Sequence, residues 1–362
     1  MPDPSDAAEL LIREEGRAGI LTLNRPKALN ALTHAMIKAM EAHYLKWAAM
    51  PRIYGVVLEA APGRAFCGGG DLRMLVERVA SGGEEGAATA FFRDEYQHNW
   101  TLECFTKPNV SLIDGIVMGG GLGISLYGTH RVAGANFLAA MPETGIGLFP
   151  DIGAGFFLPR LPGETGLYLG LTGRSFGRAD AYALGLATHC IDAGDYGTIR
   201  AAMIEGDPID PVLDGLHRHP GEGEIAALGP AIDRIFAAES VEAVLSRLDA
   251  ETGPHADWAR ETAAILRRRA PLSLKVTFRQ LREGRAAPSL KEELKTEFRL
   301  TSRLLARPDL QEGIRAALID KDRLPKWRPA SLAEVTEAMV DACFAPLGAD
   351  ELELRDRWTL VD

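Results

Sequence analysis

Apolar residues recur along this chain with two different periods, and the change from one to the other divides it. Residues 19–24, GILTLN, are rich in branched apolar side chains and predict a strand, which Arg25-Pro26 ends. After a polar loop, Thr33 is placed to cap a helix in which Met36, Ile37, Met40, Tyr44, Leu45 and Trp47 recur at helical spacing up to Pro51. Residues 54–60 return to strand. GRAFCGGGD then predicts a glycine-rich turn, residues 72–80 a short helix, and SGGEEGAA a flexible surface loop. A long helix is expected over residues 88–105, with Phe92, Tyr96 and Trp100 on one face. Residues 109–113 read as a strand ending at Asp114-Gly115, residues 116–127 as a buried turn and helix, and residues 131–133 as a further strand. The order strand, strand, helix returns roughly every forty residues, too short for a Rossmann unit, and predicts a spiral of ββα turns without exact sequence repeats. Past about Ile204 the pattern changes. DPIDP predicts a proline-broken linker, and segments such as SLKEELKTEFRLTSRLLAR carry apolar residues only at three- and four-residue intervals. The expected organisation is an α/β core over residues 1–204 followed by a mostly helical region over 205–362.

Composition narrows what such a chain can do. Its 362 residues, 46% hydrophobic, suffice for a well-buried core, so disorder is not expected. A formal charge of −10 argues against nucleic acid or an anionic membrane as partner, because both need a positive field. The four cysteines, Cys67, Cys104, Cys190 and Cys343, form no CxxC pair, so neither a disulfide framework nor a zinc knuckle is suggested. MPDPSDAAELL lacks the basic stretch and apolar core of a signal peptide, and a reducing cytoplasm is the expected compartment. The charge-poor run over 116–127 is too short to span a bilayer.

The glycine-rich segments first have to be tested as phosphate loops. No GxxxxGK[ST] occurs, and neither Gly68-Gly69-Gly70 nor residues 119–123, GGGLG, completes a GxGxxG, which removes most support for ATP or NAD. Residues 123–127, GISLY, lack the final glycine of a nucleophile elbow, so Ser125 is read as packed in a helix. His217-x-His219 stands beside Pro220 without further converging ligands, and no metal is expected. What the two glycine loops offer is backbone N–H groups that approach a ligand closely, and two such donors make an oxyanion hole. Close packing of a helix on a sheet accounts for the glycines equally well. AAMPETGIGLFPD adds chemistry, since Glu143 and Asp151 each follow a proline in an apolar stretch, where burial raises a carboxyl toward the range in which it moves protons at neutral pH. Glu143 as a helix cap and Asp151 as a turn stabiliser remain alternatives at this point.

Four segments, NRPKALNAL at 24–32, RAFCGGGD at 64–71, MGGGLG at 118–123 and MPETGIGLFPD at 141–151, together resemble the crotonase superfamily in order and spacing. PLSLKVTFRQLREG at 271–284 and EGIRAALIDKDRLPKW at 312–327 look like its branch that hydrolyses 3-hydroxyisobutyryl-CoA in valine degradation. The resemblance covers nearly the whole chain. It implies an oxyanion hole at the amides of Gly70 and Gly120, catalytic roles for Glu143 and Asp151, and a third acyl-site acid at Glu95, although a surface acid reads equally from the helix pattern around Glu95. It also implies contacts to coenzyme A from Lys27, Ala28 and Leu29 and from the strand edge at Ala65 and Gly68. Hydratases of the superfamily carry a second catalytic glutamate three residues after the middle glycine, where this sequence has Gly123. The expected activity is therefore thioester hydrolysis with coenzyme A as part of the substrate and no separate cofactor. A hydratase or isomerase of the same fold is the alternative, and a CoA- or RNA-binding protein without activity the remoter one. The helical region is expected to cover the acyl pocket and to replace contacts that simpler relatives obtain by trimerising; a homo-oligomer stays open.

Overall fold

The computed structural model describes residues 8–74 and 86–356, so most of the helix expected over 72–80 and of the loop after it lies outside the described residues. β1 (Leu10–Glu15) and β2 (Ala18–Leu23) form an antiparallel hairpin. β2, β3 (Gly55–Ala60), β5 (Asn109–Ile113), β7 (His130–Ala133) and β10 (His189–Cys190) then run parallel in one sheet. A second sheet holds β4 (Ala65–Cys67), β6 (Ile116–Met118) and β8 (Leu138–Ala140) in parallel, closed by antiparallel β9 (Phe176–Gly177). The chain passes from β3 to β4, from β5 to β6 and from β7 to β8, laying one strand in each sheet per turn. This is the expected ββα spiral.

Three elements correct the reading of the sequence. GRAFCGGGD holds β4 as well as a turn, because Ala65, Phe66 and Cys67 are buried and pair with β6. β6 in turn occupies the start of the run read as turn and helix, and the helix Gly120–Leu126 begins only after Gly119, whose φ is +46°. Strands of three residues are too short for side-chain alternation to show. The linker expected at DPIDP is cut short by a helix, Ile209–Leu216. Pro211 falls in its first turn, where a backbone N–H would lack an intrahelical acceptor, and Ile209 and Leu213 are buried.

Two long helices carry the site. In the helix His34–Ala49, the Thr33 side chain accepts from the Met36 amide, a cap worth about 1 kcal/mol, and Met36, Ile37, Met40, Tyr44 and Trp47 are buried. The helix Ala87–Glu103 buries Phe92 and Tyr96, while half-buried Trp100 donates to Asp356 at 3.2 Å. Against it lies the helix Leu290–Leu305 from the second half of the chain. Beyond Glu205 every regular element among the described residues is helical. One apolar cluster nevertheless runs from Leu10 through Phe91 and Phe298 to Leu354, so the helical region shares its core with the spiral.

Candidate active site

The loop after β4 is stitched to residue 32 by two backbone bonds, Leu32 N–H to Gly69 O at 2.8 Å and Asp71 N–H to Leu32 O at 2.9 Å. Arg25 clamps the same loop by donating to Asp71 Oδ2 at 3.0 Å and to the Ala31 carbonyl at 2.5 Å. Gly70 N–H lies between the two stitches. On the facing side, Gly120 is the first residue of its helix. None of the loop, cap or side-chain hydrogen bonds among the described residues uses either the Gly70 or the Gly120 amide. A Cβ placed on Gly120 would stand 2.4 Å from Glu95 Oε1 and 3.4 Å from Gly70 N, so both amides and this carboxyl converge on one point.

Three carboxyl groups line a single cavity of about 300 Å³ with these amides: Glu95, Glu143 and Asp151. Glu95 is 2% exposed, which rules out the reading as a surface acid. Glu143 opens a 3₁₀ turn, Glu143–Gly145, directly after Pro142. Among the described residues Glu95 Oε1 and Glu143 Oε2 are buried without a hydrogen-bond partner, the arrangement of groups facing a ligand rather than of a satisfied core. Asp151 Oδ2 accepts from the Tyr96 hydroxyl at 2.9 Å, and the Tyr96 hydroxyl oxygen in turn lies 2.7 Å from the Thr301 hydroxyl on the helix Leu290–Leu305. Ala317 and Leu318 line the cavity from the carboxy-terminal half.

Electrostatics follow from this crowding. Burial pushes Glu95 well above the usual carboxylate range, and the charges of Asp151 and Glu143 add to it. Burial and then Asp151 raise Glu143, against the pull of its own backbone N–H and of Arg269. Asp151 is pushed up to about 6 by burial, with the Tyr96 hydrogen bond opposing. Like charges this close titrate together, so the protonation of each acid depends on the charge of the other two. The acid limb of kcat/KM is therefore expected well above the range of a free carboxylate. Asp151→Asn removes a negative neighbour that raises Glu143, so the limb should move to lower pH; a profile measured for both proteins in which the limb stays in place would contradict this coupling.

Lys27, Ala28 and Leu29 are exposed on a short turn that meets the cavity wall where Gly68 N–H donates to Leu29 O at 2.8 Å. Gly68 lines the cavity. Ala65 does not: it is 3% exposed and its carbonyl accepts from Asn30 Nδ2 at 2.9 Å, so it supports the rim from beneath. Ser125 is held in its helix by a bond to Gly121 O at 2.8 Å. His217 Nδ1 accepts from the Cys190 amide and His219 Nδ1 from the Gly221 amide, and among the described residues no cluster of His, Cys, Asp or Glu could hold a metal. Gly123 is walled in. A Cβ there would meet Asn99 Nδ2 and Ile152 Cβ at 3.0 Å, so a glutamate could enter only by displacing both.

Several participants escaped the sequence. Tyr96 was visible only as part of an apolar face, and its hydroxyl partner Thr301 lies 205 residues away. Arg269, which donates to the Thr172 carbonyl and lines the cavity beside Glu143, stood in a run of arginines that reads as solvated charge. Burial lowers its guanidinium to about 10.

The family model described as enoyl-CoA hydratase/isomerase matches residues 18–344. The mitochondrial 3-hydroxyisobutyryl-CoA hydrolase of Danio rerio is 42% identical over 357 residues, covering 96% of this chain and 92% of the relative. That of Homo sapiens is 40% identical over 369 residues, covering 98% and 93%. Among solved structures, a carnitinyl-CoA dehydratase from Mycobacterium thermoresistibile is 38% identical with a TM-score of 0.89, covering 96% of this chain and 99% of that one. An enoyl-CoA hydratase from Rhodobacter sphaeroides 2.4.1 is 39% identical with a TM-score of 0.89, covering 96% and 100%.

Proposed function

The chain belongs to the enoyl-CoA hydratase/isomerase family, and we propose that within it the protein hydrolyses 3-hydroxyisobutyryl-CoA to 3-hydroxyisobutyrate and coenzyme A. The observation that carries this reading is that Gly70 and Gly120, whose amides have no acceptor among the described residues, line one cavity with three buried carboxyl groups. In the proposed reaction the thioester carbonyl oxygen accepts from Gly70 and Gly120 N–H, which stabilise the oxyanion as the carbonyl carbon becomes tetrahedral. Glu143 either takes a proton from the attacking water or attacks the carbon itself to give a mixed anhydride that water then opens. Asp151 and Glu95 hold the water and the substrate hydroxyl. The C–S bond breaks, and the thiolate of coenzyme A leaves with a proton from the site. Single turnover in labelled water separates the two routes, because only the anhydride route places label in Glu143. Lys27 at the rim is proposed to meet the phosphates of coenzyme A, and the four free thiols suit a reducing compartment.

The two similar solved structures are named as a dehydratase and a hydratase, and hydration chemistry needs a second acid where this chain has Gly123. Asn99 and Ile152 fill the space such a side chain would take. Incubation with 3-hydroxyisobutyryl-CoA should release thiol, while the corresponding 2-enoyl-CoA should keep its enone absorbance. Loss of that absorbance without thiol release would favour a hydratase instead.

A further inference from the structure

The backbone that presents Asp151 is held in a conformation its residues do not prefer. Ile152 has φ +55°, a left-handed conformation that a β-branched residue rarely adopts, and Gly153 follows at φ +85°. Such a conformation persists only where surrounding bonds over-determine it. Here they are unusually specific. Glu297 Oε2 accepts from Gly153 N–H at 2.6 Å and Oε1 from Gly155 N–H at 3.0 Å. Gln280 Nε2 donates both to Glu297 Oε1 at 3.1 Å and to the Pro150 carbonyl at 3.0 Å. The Tyr127 hydroxyl donates to the Ile152 carbonyl at 2.6 Å. The carbonyls of Pro150 and Ile152 and the N–H groups of Gly153 and Gly155, on both sides of Asp151, are thus tied to the side chains of Gln280, Tyr127 and Glu297. Glu297 itself is fully buried and makes no contact in the substrate cavity. Burial and the charges of Glu293 and Asp151 push its carboxyl upward; the N–H groups of Gly153 and Gly155 act against this and use it as an acceptor on both oxygens.

We propose that Glu297 is the positioning residue for Asp151: it fixes the loop over residues 150–155 so that Asp151 meets Tyr96 and the cavity in the orientation that recognises the substrate hydroxyl. Glu293, one turn away on the same buried face, serves as a control, since it carries a buried carboxyl near Gly155 but accepts neither loop amide. The inference rests on the role of Asp151 in the proposed hydrolysis.

The test is steady-state kinetics on 3-hydroxyisobutyryl-CoA and isobutyryl-CoA for Glu297→Gln, Glu293→Gln and Tyr127→Phe, each alone and combined with Asp151→Asn. Misplacing a catalytic group through its support costs about 10- to 100-fold. Glu297→Gln should lower kcat on the hydroxylated thioester by that factor, change KM by less than about threefold, and reduce preference for the hydroxyl by about tenfold. In the Asp151→Asn background the same substitution should cost less than about threefold, because its target is already lost. Glu293→Gln should stay within about threefold of the parent throughout. Tyr127→Phe, which removes one hydroxyl and keeps the ring, should act in the same direction as Glu297→Gln but more weakly, and keeps the proposal testable if that variant does not fold. Effects of Glu297→Gln and Asp151→Asn that simply multiply, a Glu293→Gln loss as large, or unchanged hydroxyl preference in Tyr127→Phe would each overturn it. If the parent protein itself prefers neither thioester, the substrate assignment fails, whereas the coupling between residues 297 and 151 is still read on whichever thioester is cleaved.

Discussion

Glu143→Gln is expected to lower kcat on 3-hydroxyisobutyryl-CoA by about 100- to 10,000-fold while the variant still binds the thioester. The amide keeps the shape of the side chain and one acceptor oxygen but can neither take a proton nor attack a carbonyl. Glu143 is the suited member of the trio. Its Oε2 is buried without a partner, whereas Asp151 is already engaged by Tyr96, and its Oε1 stands 2.8 Å from the position a Gly119 Cβ would take, beside the Gly120 amide. The same substitution should raise the thermal midpoint at neutral pH. A carboxyl whose pKa is raised on folding contributes stability below its unfolded value and loses it as pH rises through the folded value, so removing the charge relieves that loss. Kinetics and melting of the variant across pH check both parts. Near-parental kcat would remove Glu143 from the chemistry.

Gly120→Ala should cost about 100- to 1000-fold in kcat, the scale of losing one oxyanion donor. The added methyl would stand 2.4 Å from Glu95 Oε1 and beside the Gly70 amide, so it fills the spot where the oxyanion should form. Folding should survive. Gly120 is in a helix and lacks a positive φ, and alanine is favoured over glycine there by about 1 kcal/mol. Gly121→Ala makes the contrast, because its methyl would meet the Cys67 carbonyl at 2.5 Å, a backbone atom that cannot swing away. The first variant is expected inactive and stable, the second destabilised; equal losses of melting temperature would mean that Gly120 serves packing alone.

Much of this was legible in the sequence because it is local. The strands over 55–60 and 109–113 and the Thr33-capped helix declare themselves by pattern, and the prolines around Glu143 and Asp151 mark a segment whose acids lack any reason to be solvated. β4 and β6 were not legible, since three residues show no period and both are fixed by pairing with each other. Glu297 illustrates a different failure. In KEELKTEFRLTSRLL it passes for one more charge on an amphipathic helix, yet Glu293, Glu297 and Thr301 fall among the apolar positions Leu290, Leu294, Phe298 and Leu304. Acids on the buried face of a helix are the signal that was present; what they hold, the Gly153 and Gly155 amides, is more than 140 residues away and visible only in the fold. Of the two residues expected at the strand edge, Gly68 lines the cavity and Ala65 is buried beside it.

In the proposed reaction buried acids read a hydroxyl on the acyl group while two amides hold its thioester. The most direct test is kcat/KM for thiol release from 3-hydroxyisobutyryl-CoA against isobutyryl-CoA, which differ in that hydroxyl alone. With the deoxy substrate, carboxyl groups inside the cavity are left unpaired at a cost of about 1–3 kcal/mol, so the hydroxylated thioester should be cleaved about 5- to 150-fold more efficiently. Equal kcat/KM for the two, or no thiol release from either, would contradict the account.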